Sequence, residues 1–220
     1  MTDYRFVQES GRHGMHARML DYVDPGNGKK VLELGCGPGK YAALLHTAGF
    51  DVEAVDPHEF DTWERIRAST SVRLTSEVYA ENLPYGDASF DHVTCLSALL
   101  YFQDPFGGLS QMYRVLRPGG LLVLRTVNSG NLYTARTGKK LDPASKQLYR
   151  MEELISLVES AGFAVEDSFA YGFWPPFLSG LWWYLSCVWM NNRWEDRLSN
   201  MLRPEHRVNN IVIARKPGAS

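Results

Sequence analysis

The chain has 220 residues, of which 45% are hydrophobic, so it can form one domain with a sizeable buried core. Its formal net charge of -2 excludes the broad positive field that attracts nucleic acid. The three cysteines are widely spaced and form no Cys-x-x-Cys pair, which argues against a structural metal and predicts a reducing, cytoplasmic environment. The charged first ten residues lack the apolar core of a signal peptide.

Residues 1–24 predict an arm followed by a helix. Residues 1–11 read as an irregular arm, and residues 13–23 place methionine, leucine and valine side chains on one side of a short helix. The sequence Asp-Pro-Gly-Asn-Gly at 24–28 is a strong turn signal. We therefore expect this segment to be separate from the first strand.

The stretch from Val31 to Lys40 predicts a strand, a tight turn and the start of a helix. Val31, Leu32 and Leu34 form an apolar run that suits a strand buried on both faces. Three glycines follow at alternate positions, where the backbone can bend through positive φ and approach a ligand closely. Residues 41–46 read as a helix, so the loop ends at free helix N–H groups. This order is typical of the nucleotide-binding half of a doubly wound α/β sheet.

The spacing of the glycines distinguishes between nucleotide ligands. A dinucleotide site needs Gly-x-Gly-x-x-Gly, whereas here the third glycine, Gly39, comes one residue early and Lys40 takes the last position. Glu33 places a carboxylate two residues before Gly35, where it would repel a pyrophosphate and suit an ammonium group. S-adenosylmethionine, a nucleoside with a zwitterionic tail and a sulfonium, fits this pattern.

The motif Glu33-Leu34-Gly35-Cys36-Gly37-Pro38-Gly39 resembles the first motif of the class I S-adenosylmethionine-dependent methyltransferases. The helix–Pro-Gly-Gly–strand sequence at 113–124 is similar to the same family. The resemblance covers roughly residues 30–165 and the last strand. It implies a single domain over residues 1–220, with a seven-stranded, mostly parallel sheet whose last strand is antiparallel. It also implies S-adenosylmethionine as cofactor, S-adenosylhomocysteine as product, and no metal. The cofactor-binding residues expected are Glu33, Gly35, Cys36, Gly37, Gly39, Asp56, Pro57, Ala80, Glu81 and Ser97.

Asp56 is the expected ribose ligand. Residues 51–55 alternate as a second strand that ends at Asp56-Pro57, 21 residues after Gly35. An acid at this distance can accept both ribose hydroxyls. In the alternative interpretation, Asp56 caps a helix from His58 to Arg67.

The adenine is expected to lie near Ala80 and Glu81, whose backbone N–H groups would read its edge. The family usually has Asp or Asn before this pair, but here the residue is Tyr79. Three interpretations stay open. Glu81 accepts from the adenine amino group, a main-chain carbonyl does so, or the Tyr79 ring is buried and has no role.

The remaining elements complete the predicted sheet. Strands are expected at 71–75, 93–96, 121–124, 163–169 and 210–215, with helices at 106–116 and 149–161. Ser97 and Tyr101 follow the fourth strand, where a doubly wound sheet brings ligand and substrate together. The polar loop 127–148 should border the substrate cavity.

The part before the last strand is a tryptophan-rich insertion, expected to be helical over about 171–208. No charged residue occurs from Ser168 to Asn192. A transmembrane helix is excluded because the last strand must return to the same sheet, and because Pro175-Pro176 leave too short a run. Three interpretations stay open: an apolar substrate pocket, a helical cap or self-association surface, and a peripheral membrane contact.

The resemblance implies in-line methyl transfer, in which positioning supplies most of the rate. The insertion favours an apolar or aromatic small-molecule or lipid-like acceptor. Tyr101 and His16 are candidate catalytic residues, since the N-terminal segment of this family often covers the pocket. We expect a monomer or homodimer. The alternatives are a cofactor-binding protein without turnover and an NAD-linked oxidoreductase.

Overall fold

A computed structural model describes residues 27–172 and 200–218 of the chain. The predicted N-terminal arm and helix, including His16, lie outside these residues, as does most of the insertion expected at 171–208. The described residues form a seven-stranded sheet, five α-helices and the loops that follow the strands.

The sheet has seven strands in the order β3-β2-β1-β4-β5-β7-β6. Only β7 runs antiparallel, between β5 and β6, which confirms the predicted architecture. The strand order reverses between β1 and β4, and ligands of doubly wound sheets bind at such a switch point. The strands are β1 (Lys30–Leu34), β2 (Asp51–Val55), β3 (Arg73–Thr75), β4 (Phe90–Leu96), β5 (Leu116–Val127), β6 (Ala164–Tyr171) and β7 (Asn209–Arg215).

Side chains alternate between the two faces of the sheet along each strand, which places apolar residues on both faces. Helices cover both of these faces. One core contains Leu32 and Leu34 of β1 with the buried sides of α3 and α5. The other contains Val31 with α1 and α2. In the described part of the chain, no helix is long and apolar enough to cross a membrane. The α-helices are α1 (Lys40–Thr47), α2 (Thr62–Ser69), α3 (Pro105–Val115), α4 (Leu132–Thr137) and α5 (Met151–Ser160), and short 3-10 helices span Leu99–Tyr101 and Pro204–His206.

Several boundaries differ from the predictions. The helix expected from His58 begins only at Thr62, so the interpretation of Asp56 as its N-cap is wrong. The loop expected without helix at 127–148 contains α4, whose first turn is capped by the Asn131 side chain accepting from the Thr134 N–H. The sequence predicts a turn between the helix at 106–116 and the strand at 121–124. In the structure β5 already begins at Leu116, and the turn residues form a bulge in this strand: Phe90 of β4 pairs with Leu116, but His92 pairs with Leu121.

Candidate functional site

The loop after β1 is fixed to the end of β2. The Gly35 and Cys36 N–H groups both donate to the Val55 carbonyl, at 2.8 and 3.0 Å. Gly35 has φ +71°, and a Cβ there would lie 2.2 Å from the Ala98 Cβ, so no larger residue fits. At Gly37, with φ +50°, the Cβ position has no atom within 4 Å, which leaves its backbone open to a ligand.

The carboxylate of Asp56 holds the same loop. It is 8% exposed, accepts from the Gly37 N–H at 2.9 Å through Oδ2, and accepts from the His58 N–H at 3.0 Å through Oδ1. A carboxylate has about four lone-pair sites, so each oxygen can still accept one hydroxyl. The arrangement therefore suits two vicinal hydroxyls.

Trp63 is a positioning residue that the sequence analysis missed. Its side chain is fully buried in α2, and its Nε1 donates to the Gly37 carbonyl at 2.7 Å. The Thr62 hydroxyl donates to the Pro38 carbonyl at 2.7 Å. The N-terminus of α2 thus fixes the outer side of the glycine loop.

Ser97 occupies the turn at the carboxyl end of β4. It has φ +63°, a strained conformation for a residue other than glycine, and its N–H donates to the Arg125 carbonyl at 2.8 Å. Its buried hydroxyl has no hydrogen-bond partner among the described residues. A ligand in the adjacent cavity could therefore satisfy it.

The segment expected to read adenine is hydrogen-bonded to the residues just before α3. Glu81 Oε1 accepts from the N–H groups of Gln103 and Asp104, at 2.9 and 3.1 Å. Glu81 therefore fixes the start of α3 and has only its second oxygen for an adenine amino group. The Tyr79 side chain is 58% exposed, so the interpretation of a buried Tyr79 is wrong.

Glu33 does not lie on the cavity wall. It is 3% exposed, and burial raises the pKa of its carboxyl from 4.5 to about 8, although the Ala42 N–H donates to it and opposes the shift. Its Oε2 has no hydrogen-bond partner in the part of the chain described. Glu33 therefore lies beneath the start of α1 and not among the residues that line the cavity.

Tyr101 lies at the mouth of the cavity and is 43% exposed. Its hydroxyl donates to Asp142, and partial burial together with this carboxylate raises the pKa of the phenol to about 12. The loop that carries Asp142 is fixed by the Lys146 and Gln147 N–H groups, which donate to the Leu100 carbonyl at 2.8 and 3.3 Å. The Tyr101 phenol is thus neutral at pH 7 and forms part of the cavity wall as a hydrogen-bonding group.

These elements enclose a cavity of about 630 Å³ at the carboxyl ends of β1, β2 and β4. Its volume lies in the range of small-molecule sites. Of the predicted residues, Glu33 and Gly39 are not on its wall, and a Cβ at Gly39 would instead meet Ile66 Cδ1 at 2.7 Å. Residues 27–172 and 200–218 contain no cluster of His, Cys, Asp or Glu that could hold a metal. The predicted residues that do line the cavity are Gly35, Cys36, Gly37, Asp56, Pro57, Ala80, Glu81, Ser97 and Tyr101.

Two relatives of the chain are named as methyltransferases. An uncharacterized methyltransferase of Mycobacterium bovis is 35% identical over 116 residues, which are 53% of this chain and 47% of the relative. A ubiquinone biosynthesis O-methyltransferase of Pseudomonas fluorescens is 30% identical over 157 residues, which are 64% of this chain and 66% of the relative. The chain thus spans about half to two thirds of the length of these relatives.

Solved structures share the fold at low sequence identity. The [4+2]-cyclase SpnF superposes with a TM-score of 0.71 and 21% identity, over 93% of this chain and 80% of that chain. A 1,6-didemethyltoxoflavin-N1-methyltransferase of Burkholderia thailandensis, solved with bound 1,6-didemethyltoxoflavin and S-adenosylhomocysteine, gives a TM-score of 0.63 and 18% identity, over 98% of this chain and 80% of that chain.

The profile of the family described as "Methyltransferase domain" matches residues 9–168. The match includes the glycine loop, the switch point and every strand through most of β6. The chain therefore belongs to the methyltransferase domain family, with the Rossmann-like fold of its class I S-adenosylmethionine-dependent members.

Proposed function

We propose that the protein binds S-adenosylmethionine in the 630 Å³ cavity and transfers its methyl group to an apolar or aromatic acceptor. The observation that carries the proposal is the hydrogen bond from the Gly37 N–H to the Asp56 carboxylate. It holds an uncovered stretch of backbone and a carboxylate beside one cavity. This pair matches a nucleoside with a ribose diol. NAD is disfavoured because the glycine spacing departs from the dinucleotide motif: Lys40 takes the position of its last glycine.

Each part of the cavity has a role in the proposal. Asp56 would accept the ribose hydroxyls, and the segment from Ala80 would contact the adenine. The Gly35 to Gly37 backbone and the unsatisfied Ser97 hydroxyl would face the amino-acid tail. The cofactor supplies an activated methyl group on a sulfonium, and the protein holds the acceptor in line with it.

The acceptor side favours an aromatic or apolar molecule. Aromatic side chains of the cavity wall are Phe60, Tyr79, Tyr101 and Phe102. The Tyr101 hydroxyl donates a hydrogen bond to Asp142 and has a raised pKa, so Tyr101 would orient the acceptor and would not act as a base at neutral pH. His16, in the part of the chain outside the described residues, remains a candidate base. The stretch from Ser168 to Asn192, which has no charged residue, supports a lipid-like acceptor with peripheral membrane contact.

Calorimetric titration tests the cofactor assignment. We expect S-adenosylhomocysteine to bind and NADH not to bind. Asp56→Asn should weaken S-adenosylhomocysteine binding by about tenfold or more, because one charged acceptor is lost. Asp61→Asn is the matched control, since Asp61 is exposed, makes no capping bond with its side chain and does not line the cavity. Unchanged binding by a folded Asp56→Asn protein would remove the ribose assignment.

Methyl transfer itself needs a second experiment. Radiolabelled S-adenosylmethionine should give labelled product with at least one member of a panel of phenols, quinols and lipids. Tight S-adenosylhomocysteine binding without transfer to any acceptor class would instead support a cofactor-binding protein without turnover.

A further inference from the structure

A second cavity, of about 650 Å³, lies away from the proposed cofactor site. Its wall is formed by the residues after β5, part of α4, the N-terminus of α5, the end of β6, and the segment from the Pro204–His206 helix to β7. No residue lines both cavities. The proposed function makes no use of this second space.

Two buried polar atoms on this wall lack partners among the described residues: Asn210 Oδ1 and Arg207 Nε. Asn210 is only 1% exposed. A buried acceptor or donor that has lost water and gained no partner costs free energy. Native structures usually resolve this cost with a partner, so a ligand in the adjacent cavity that reaches these two atoms would remove it.

Neither side chain can turn away from the cavity without losing a bond. Asn210 Nδ2 donates to the Tyr149 carbonyl at 2.9 Å, which fixes Oδ1 as the free acceptor. Arg207 Nη1 donates to the Ala170 carbonyl at 3.0 Å. Since Ala170 is the register partner of Asn210 in the β6–β7 ladder, the two groups lie near the same point of the wall.

The charges indicate what the cavity would hold. Arg207 is half-buried and donates to the carbonyls of Ala170 and Leu202, and no carboxylate within the described ranges forms an ion pair with it. The wall acids Glu152 and Glu205 are exposed, and Glu205 lies 3.9 Å from Arg203. A half-buried guanidinium favours an anionic oxygen, such as that of a carboxylate.

We propose that this second cavity is a binding site for a small carboxylate that carries an adjacent hydroxyl or amino group, such as a 2-hydroxy acid or an amino acid. The carboxylate accepts from Arg207, and the neighbouring O–H or N–H donates to Asn210 Oδ1. The site is separate from the methyl-donor cavity and does not depend on it.

Two-dimensional ¹H–¹⁵N NMR can test this proposal with glycolate as probe and acetate as its matched control. Glycolate should shift the side-chain signals of Arg207 Nε and Asn210 Nδ2 in a saturable way. Acetate should bind about fivefold or more weakly, because it leaves Asn210 Oδ1 unsatisfied.

Variants separate a built site from general attraction. Arg207→Gln should abolish the saturable shift, and Asn210→Leu should remove the preference for glycolate over acetate. Arg203→Gln should change neither, since Arg203 is a neighbouring cation with an 82% exposed side chain. Equal binding of the two probes, no saturation, or equal losses in Arg207→Gln and Arg203→Gln would overturn the proposal.

The same variants distinguish this proposal from the proposed function. Arg207→Gln should bind S-adenosylhomocysteine with unchanged affinity, because it lies outside that cavity. If Arg207→Gln were unfolded, Arg207→Lys would replace it, since lysine keeps the charge but lacks the Nε donor. Glycolate should then bind more weakly, and binding equal to wild type would overturn the role of Nε.

Discussion

At the carboxyl end of β1, the Glu33 side chain turns under α1 because side chains alternate along a strand. It shares its face with Val31, and its neighbours Leu32 and Leu34 face the opposite core. Its carboxyl is buried, accepts from the Ala42 N–H and lies near Asp56. Desolvation therefore dominates and favours the protonated form.

Glu33 should make the folded protein less stable as pH rises. The folded-state pKa of about 8 exceeds the ordinary value of 4.5, so the folded protein keeps a proton that the unfolded chain loses. The stabilising contribution is complete below the unfolded pKa and is lost as pH rises through the folded pKa. Glu33→Gln cannot titrate, and its free energy of unfolding relative to wild type should rise by about 1 kcal/mol per pH unit between these two values.

Denaturant unfolding at several pH values measures this difference. Glu59→Gln is the control, because the Glu59 side chain is 57% exposed. A constant difference between Glu33→Gln and wild type across the range would show that Glu33 is already ionised in the folded state.

At the scale of elements, α2 positions the glycine loop from outside the cavity. Trp63 is fully buried, and its Nε1 donates to the Gly37 carbonyl. The N–H group of the same glycine donates to Asp56. Gly37 is thus fixed through both its carbonyl and its N–H. The ligand-facing conformation of the loop depends on this pair of bonds.

Trp63→Phe should lower cofactor affinity as well as stability. The change leaves the Gly37 carbonyl without its donor and allows the loop to shift, so S-adenosylhomocysteine binding should weaken by about three- to tenfold. Phe163→Leu is the control: Phe163 is buried against Tyr113 in the opposite core, with ring centroids 5.2 Å apart. It should cost stability and leave calorimetric affinity unchanged. Equal affinities for the two variants would show that Trp63 serves packing alone.

The elements also show what the sequence could and could not predict. Apolar runs and glycine turns located the strands to within a few residues, and the family resemblance supplied their order. The side of β1 that Glu33 faces was not predicted, because a carboxylate at a strand end is compatible with either face until the helix above it is placed. Trp63 was missed because its partner, Gly37, lies 26 residues earlier and its bond is to a carbonyl. Asn210 and Arg207 carry no motif, so only the folded arrangement brings them together.

For the whole molecule, both cavities open at the carboxyl edge of one sheet, over different strands. The first lies at β1, β2 and β4, and the second lies at β5, β6 and β7. Ligands that bind only the folded state stabilise it by mass action, so each cavity should contribute to thermal stability through its own ligand. Both sites belong to one sheet with a common core, so the free energy gained from a ligand at either site raises the unfolding temperature of the whole domain.

S-adenosylhomocysteine at about one hundred times its Kd should stabilise the protein by about 2.7 kcal/mol, which for this chain length raises Tm by roughly 5–10 °C. The ligand stabilises the folded state because only that state holds Gly37 and Asp56 together by their hydrogen bond. Differential scanning calorimetry measures the shift, with NADH as the ligand control and Asp56→Asn as the protein control. NADH should give little or no shift, and Asp56→Asn, which binds about tenfold or more weakly, should give no more than about half of the wild-type shift at the same ligand concentration. In hydrogen exchange, protection should rise at residues 35–39 and 97, and residues 128–130, on the wall of the other cavity, should be unchanged. Protection that appeared only at 128–130 would place the nucleoside in the second cavity and contradict the assignment of the first.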